Sequence, residues 1–203
     1  MERQARRAQV LRHAKRIFAR KGYHRTNVAE IVSQARIARG TFYLYFDNKK
    51  ELFEELLEQV LRELAARIRR IQMGPGEPSP IEQLRANLRR VMEFVMAERE
   101  LVDILLNHSV GFDKNLDARI QEFYERVAAQ IKRSLDLGIA MGLVRSCDTG
   151  VAARCILGGV KESVAQLSRG AGAEVGEVVE EVLNFGLRGV AQPELSGHLA
   201  AGV

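Results

Sequence analysis

A chain of 203 residues with 46% hydrophobic residues suffices for one medium domain, or for a small domain joined to a larger one. Only 4 Pro and 6% aromatic residues, with Leu, Ala, Arg and Glu dominant, suit helices better than a sandwich or barrel. The net charge of +5 hides an asymmetry: residues 1–50 hold thirteen Lys or Arg against Glu2, Glu30 and Asp47, a net of +10, while residues 51–203 hold eighteen basic and twenty-three acidic residues, a net of −5.

In chain order, residues 6–21 show helical periodicity, with Val10, Ala14 and Ile17 on one stripe beside Leu11 and Phe18. Gly22 reads as its stop. Asn27 can cap a second, short helix, with Glu30 three residues on as its reciprocal partner. Ala35, Arg36 and Ile37 read as a turn, and a third short helix follows at about 38–43. Asn48 and Glu51 repeat the capping spacing and open a fourth helix predicted to run to about Gln72, on the stripe Leu52, Leu56, Val60, Leu64, Ile68 and Ile71. The run from Gly74 to Pro80 is the clearest linker. Helices are then predicted at 80–98, 100–109, 114–140, 148–170 and 174–191, which gives an all-α chain of about nine helices with no strand. The tail from Pro193 reads as frayed.

Two short helices joined by a tight turn, with a third packed before them, form a helix-turn-helix, which places its second helix in the major groove of DNA. A basic head on an acidic body points to a polyanion met by the head alone. Arg39, Gly40, Thr41, Tyr43 and Tyr45 suit the groove-facing helix: Gly40 permits close approach, Arg39 and Thr41 can meet bases or phosphates, and the tyrosine hydroxyls can meet phosphate. Phe42 and Phe46 are expected to be core anchors.

Residues from about 8 to 60 resemble the DNA-binding domain of TetR/AcrR-family regulators. The likeness is carried by Phe18-Ala19-Arg20-Lys21-Gly22-Tyr23, then Thr26 and Ile31, then Gly40-Thr41-Phe42-Tyr43-Leu44-Tyr45-Phe46, then Lys49-Lys50-Glu51-Leu52, in order and at the family's spacing. The resemblance implies that Thr26, Asn27, Arg39, Thr41 and Tyr43 touch DNA. It also implies that Tyr45 and Lys49 hold phosphates, Lys49 at a helix N-terminus. Arg3, Arg6 and Arg7 form either a basic arm along the duplex or solvated charge. Arg36 stands where a Gly is common, so the turn either avoids a left-handed conformation or strains Arg36 by roughly 1 kcal/mol; Arg36 is also a candidate phosphate contact. Ala38 stands where Ser often caps the third helix, which forfeits about 1 kcal/mol.

The resemblance divides the chain into a DNA-binding domain at 1–50, a ligand-binding and dimerisation domain at 51–192, and a flexible tail at 193–203. One recognition helix has a small footprint, so such regulators pair as homodimers on two half-sites. The last two helices are the expected interface, through Val151, Cys155, Gly158, Gly159, Glu162, Val178, Val182 and Phe185, although the same stripes also read as intramolecular core. A small hydrophobic effector is expected among Met92, Phe94, Met96, Ile104, Leu105, Phe112, Phe123 and Tyr124, with Asn107 and His108 as polar candidates; ordinary core packing explains each of these equally well. Residues 102–113 faintly resemble fatty-acid-degradation regulators of the family. That implies an acyl or acyl-CoA effector, with a multidrug-type lipophilic cation as the competitor.

An enzyme finds no support. Four scattered His, no Gly-rich phosphate loop and no metal spacing leave no acid, base, nucleophile or cofactor site to assign. A sequence-independent DNA-coating protein and a purely structural helical bundle are the remaining alternatives, the second of which leaves the basic head unexplained. Cys147 and Cys155 suggest neither zinc nor a disulfide framework. No apolar run reaches a membrane span or a signal-peptide core, so a cytoplasmic protein is expected.

Overall fold

The computed structural model describes residues 2–107, 114–169 and 174–190. Among these residues it forms nine α-helices: α1 (Glu2–Lys21), α2 (Val28–Ala35), α3 (Arg39–Tyr43), α4 (Lys49–Arg67), α5 (Pro80–Ala97), α6 (Arg99–Asn107), α7 (Lys114–Ala140), α8 (Thr149–Ser168) and α9 (Val175–Val190). The all-α expectation holds, and every helix after the linker begins within one residue of its predicted start. The predicted tail from Pro193 lies outside the described residues. Contacts divide the chain into two compact units, Met1–Glu63 with Glu100–Asp117, and Leu64–Arg99 with Ala118–Val203.

In the first unit α1 packs on α2, and α2 on α3. Its core is the predicted stripe of α1 (Val10, Ala14, Ile17, Phe18) with Ile31 and Ala35 of α2, Phe42 of α3, Phe46, and Leu52, Phe53, Leu56 and Leu57 of α4, all buried. Phe18 meets Phe53 edge-on at 5.0 Å between centroids, a favoured aromatic arrangement. Gly22 ends α1 as predicted: its N–H donates to Phe18 O at 2.7 Å with φ +75°, where a side chain would be strained. Arg3, Arg6 and Arg7 do not form an arm; they belong to α1. Arg7 makes a two-pronged ion pair with Glu55, and its guanidinium lies 5.0 Å from the Phe46 ring centre.

In the second unit α5 packs on α8 and α9, which pack on each other. Val91, Met92, Phe94 and Val95 of α5, Ala153, Val164, Ala165 and Leu167 of α8, and Val179 and Leu183 of α9 are buried. Ser79 opens α5 with a full capping box: the Glu82 N–H donates to Ser79 Oγ at 3.2 Å, and the Ser79 N–H to Glu82 Oε2 at 2.8 Å. Pro80 follows at the first turn, where its missing N–H is no loss.

The fourth helix stops at Arg67, not near Gln72. The reason lies in α5, whose side chains take the backbone groups that a longer helix would use. Asn87 accepts from the Arg69 N–H at 3.0 Å and donates to Arg69 O at 2.8 Å. Gln83 accepts from the Gln72 N–H and donates to Gln72 O, both at 2.8 Å. Arg90 Nε donates to Arg67 O at 3.2 Å, placing a cation on the negative end of α4.

Ser79→Ala removes one half of the capping box and should lower the unfolding free energy by about 1 kcal/mol. The measurement is a urea midpoint that falls while the slope stays constant.

Candidate nucleic-acid interface

The geometry of the head follows from its two loops and one short helix. Asn27, in extended conformation, accepts from the Glu30 N–H at 2.9 Å and so starts α2. The reciprocal half of this cap differs from the prediction, because the Glu30 carboxylate pairs with Lys21 at the end of α1. At α4 the Glu51 N–H donates to Asn48 Oδ1 at 2.9 Å, while Glu51 Oε2 accepts from the Asp47 N–H at 2.6 Å, one residue earlier than predicted.

Arg36 adopts the left-handed conformation, φ 52° and ψ 48°, so of the two readings of this turn the strained one holds. Its N–H donates to Ser33 O at 3.1 Å, and the Ile37 N–H reaches back to Val32 O at 3.2 Å; together these close α2. Ala38 caps α3 without any side-chain hydrogen bond, as its residue type requires.

Phe42 is fully buried in α3, and Phe46 just beyond it is 1% exposed, so both are the anchors that the sequence implies. Around them Arg36, Arg39 and Gly40 are exposed, and Thr41 and Tyr45 are half-buried. Tyr43 is 46% and Leu44 67% exposed. A Cβ added to Gly40 would meet nothing within 4 Å, so no internal contact explains a glycine inside this helix. An apolar residue in the sequence suggests core, but Leu44 stands two positions beyond Phe42, on the far side of the turn, and that spacing is the signal for its exposure.

Two residues expected to face DNA turn inward instead. Thr26 is 2% exposed, and its hydroxyl donates to Gly22 O at 2.8 Å, so its side chain belongs to the α1–α2 connection. Lys49 Nζ donates to Tyr23 O and Thr26 O, both at 2.8 Å, and sits 4.0 Å from the Tyr23 ring centre. Desolvation lowers its pKa from the usual lysine value. Two of its three N–H bonds therefore hold the loop before α2. Burial, followed by the nearby Glu54 carboxylate, raises the Tyr23 pKa.

In the body, Met92, Phe94 and Phe123 are buried, as is Leu105 in the first unit, whereas Met96 is exposed. Arg67 lies 4.1 Å from the Phe94 ring centre. Tyr124 is half-buried beside Phe123, at 5.5 Å between rings. Its hydroxyl pKa is pushed up to about 12 by burial, and the Lys161 ammonium stands 4.8 Å from its ring centre. His108 and Phe112, and the side chains of Ile104 and Asn107, lie outside the described residues. On α8, Val151, Cys155, Gly158, Gly159 and Glu162 all fall on one exposed face. On α9, Phe185 is 81% exposed and Val178 and Val182 are half-buried. Among the described residues no helix is long and apolar enough to cross a membrane.

Arg36→Gly should stabilise the folded protein by about 1 kcal/mol, because glycine adopts the left-handed region without Cβ strain. Thermal unfolding reads this as a rise in Tm; an unchanged or lower Tm would mean that the Arg36 side chain contributes contacts worth more than the strain.

Two family models match the chain. One describes bacterial regulatory proteins of the tetR family and covers residues 10–56; the other is a tetracyclin repressor-like C-terminal domain and covers residues 77–190. The chain is similar to the HTH-type transcriptional regulator TtgR of Pseudomonas putida, 29% identical over 146 residues, 71% of this chain and 69% of that protein. Its fold is similar to that of the transcriptional regulator FadR of Bacillus subtilis in complex with stearoyl-CoA, with TM-score 0.68, 23% identity and coverage of 90% and 98% of the two chains. It is also similar to that of SmeT, the repressor of the Stenotrophomonas maltophilia multidrug efflux pump SmeDEF, with TM-score 0.71, 20% identity and coverage of 95% and 94%. Matching models over both the head and most of the body place the chain in the TetR family of bacterial DNA-binding transcriptional regulators.

Proposed function

We propose that the protein is a homodimeric repressor that reads a palindromic operator through residues 36–45 and is released from it by a lipophilic small molecule. The observation that carries this reading is the outward face of α3 with its flanking residues: Arg36 before it, Arg39, Gly40 and Tyr43 in it and Leu44 after it are all exposed, and Gly40 has open space around it. A Cβ-free helix surface lets a backbone approach base edges and phosphates closely. Arg36 and Arg39 supply charge and bidentate donors, and Tyr43 and Tyr45 supply hydroxyls for phosphate. Asn27 marks the start of α2, and Thr41 borders the same face. Thr26 and Lys49 act behind this surface by fixing the loop, with the third N–H of Lys49 left for a phosphate at the start of α4.

Two such heads are needed for a two-fold site. The exposed Val151, Cys155, Gly158, Gly159 and Glu162 of α8, with Phe185, Val178 and Val182 of α9, form the proposed pairing surface. Small residues allow two helices to approach, and Phe185 gains most from burial.

For the effector, the second unit offers Met92, Phe94, Phe123 and Tyr124. Lys161 over the Tyr124 ring and Arg67 over the Phe94 ring disfavour a cationic ligand and favour an acyl chain with an anionic or neutral polar end, such as an acyl-CoA. That FadR was crystallised with stearoyl-CoA agrees with this choice. An effector that fits one arrangement of the body better than another shifts the DNA-binding equilibrium by its differential affinity alone.

A footprint on the gene's own upstream region is expected to reveal a discrete two-fold site; uniform coverage of any duplex would point to a DNA-coating protein instead. Gly40→Ala should raise the stability of the free protein by roughly 0.5–1 kcal/mol and yet weaken operator binding. Loss of both, or of neither, removes the argument for a reading face. Arg36→Ala should lower the salt slope of binding by about 1. Palmitoyl-CoA is expected to release the duplex at concentrations where lipophilic cations do not; the reverse order would make this a multidrug-type sensor.

A further inference from the structure

Residues 68–72 continue the apolar stripe of α4 through Ile68 and Ile71, and they contain no proline or glycine. Nothing in this segment opposes a helix. It nevertheless leaves the helix at Arg67, and its backbone groups are taken by one face of α5. Gln83, Asn87 and Arg90 are spaced four and three apart, so they share that face. Each carboxamide donates to the carbonyl and accepts from the N–H of a single residue, Gln83 with Gln72 and Asn87 with Arg69. This imitates the paired bonds that a neighbouring strand would make. Gln83 also donates to Pro78 O at 2.7 Å, and Arg90 bonds both the Arg67 carbonyl and the Asn87 side chain. The same three side chains thus end α4, hold the non-helical segment and fasten the linker before α5.

We infer that residues 68–72 are a helix-competent strap, held off α4 by Gln83, Asn87 and Arg90, so that α4 has two lengths and these residues select the shorter. In a helix extended to Gln72 the Arg69 N–H, the Gln72 N–H and the Arg67 carbonyl find partners one turn away, at Ala65 O, Ile68 O and the Ile71 N–H, while the Arg69 and Gln72 carbonyls join the open C-terminal end, where water or side chains serve them. Release converts five non-helical residues to about 8 Å of helix. The stroke is delivered at the end of a helix that begins only a few residues after α3. This inference concerns the body's own conformation and goes beyond the proposed DNA reading.

The test uses the full chain labelled for NMR. In the wild type, Cα shifts of residues 68–72 are expected to be non-helical. In Gln83→Ala/Asn87→Ala they should move to helical values, and the amides of Ile71 and Gln72 should be protected through bonds to residues four earlier. Adding Arg70→Pro should return the segment to non-helical shifts, since proline disfavours the helical conformation at Arg69 and removes an N–H that the strap does not use. A folded double variant in which residues 68–72 stay non-helical overturns the inference. Should the double variant fail to fold, Gln83→Glu decides: it keeps the acceptor for the Gln72 N–H and loses both donors, so a partial move toward helix is expected and wild-type shifts count against the latch. On the footprinted duplex, the double variant should depart from wild-type affinity by about threefold or more, and adding Arg70→Pro to it should bring the affinity back toward the wild-type value. Equal affinities overturn any role of the strap in DNA binding. A wild type that protects no discrete site fails the DNA reading and leaves the NMR result to stand by itself.

Discussion

A helix of five residues holds too few internal hydrogen bonds to persist by itself, so α3 exists where its side chains are anchored. Phe42 supplies that anchor from the middle of the helix, and Phe46 adds a second just past its end. The two rings lie 5.7 Å apart in a core that includes Phe18 and Phe53. At 100° per residue, Gly40 and Leu44 then fall nearly opposite Phe42, and Tyr43 lies to one side. What the molecule presents outward at residues 39–44 is thus decided by what it buries at 42 and 46. The proposed reading of DNA depends on this placement more than on any single polar group.

The formal charge of the head overstates what is free to meet a partner. Arg7 is committed to Glu55, Lys21 to Glu30, and Lys49 to two carbonyls of the α1–α2 connection. Such cations still contribute to the long-range field of the head, but their hydrogen bonds already serve the fold. Arg36 and Arg39 differ: both are exposed and lie at the two ends of the turn before α3. Division of labour among like charges is therefore set by nearby carboxylates and carbonyls, which a charge count does not register.

Apolar periodicity makes most of the fold legible in the sequence. The stripe Val10, Ala14, Ile17 and Phe18 was readable because burial of one helix face imposes a repeat that survives any detail of packing. The anchoring roles of Phe42 and Phe46 were readable from the same logic. Polar side chains were harder, since a carboxamide, hydroxyl or ammonium can reach solvent, a partner or the chain's own backbone. Thr26 and Lys49 share the family's pattern at positions associated with DNA, yet their donors end on carbonyls 22, 23 and 26. Residues 68–72 expose the limit of periodicity itself: the stripe continues through Ile68 and Ile71, but Gln83 and Asn87, more than ten residues away, offer competing partners. No local pattern encodes that competition.

Local rules of stability are broken three times within five positions, and all on the same exposed stretch. Arg36 occupies a left-handed conformation that glycine would accept without strain. Ala38 leaves α3 without a side-chain cap, and Gly40 sits inside a helix with open space where a methyl group would fit. Each departure costs about 1 kcal/mol or somewhat less, a sizeable fraction of the margin by which a small domain stays folded. Open helical glycines recur at Gly158 and Gly159 of α8 and at Gly186 and Gly189 of α9, whereas the starts of α5 and α8 are well capped, by a complete capping box and by Asp148; what sets residues 36–40 apart is three different departures within five positions. Departures of this kind gather where a surface answers to something outside the molecule. In this stretch each one alters what an approaching duplex would meet: a guanidinium lifted on a strained turn, a helix start free of a polar side chain, and a bare patch of backbone.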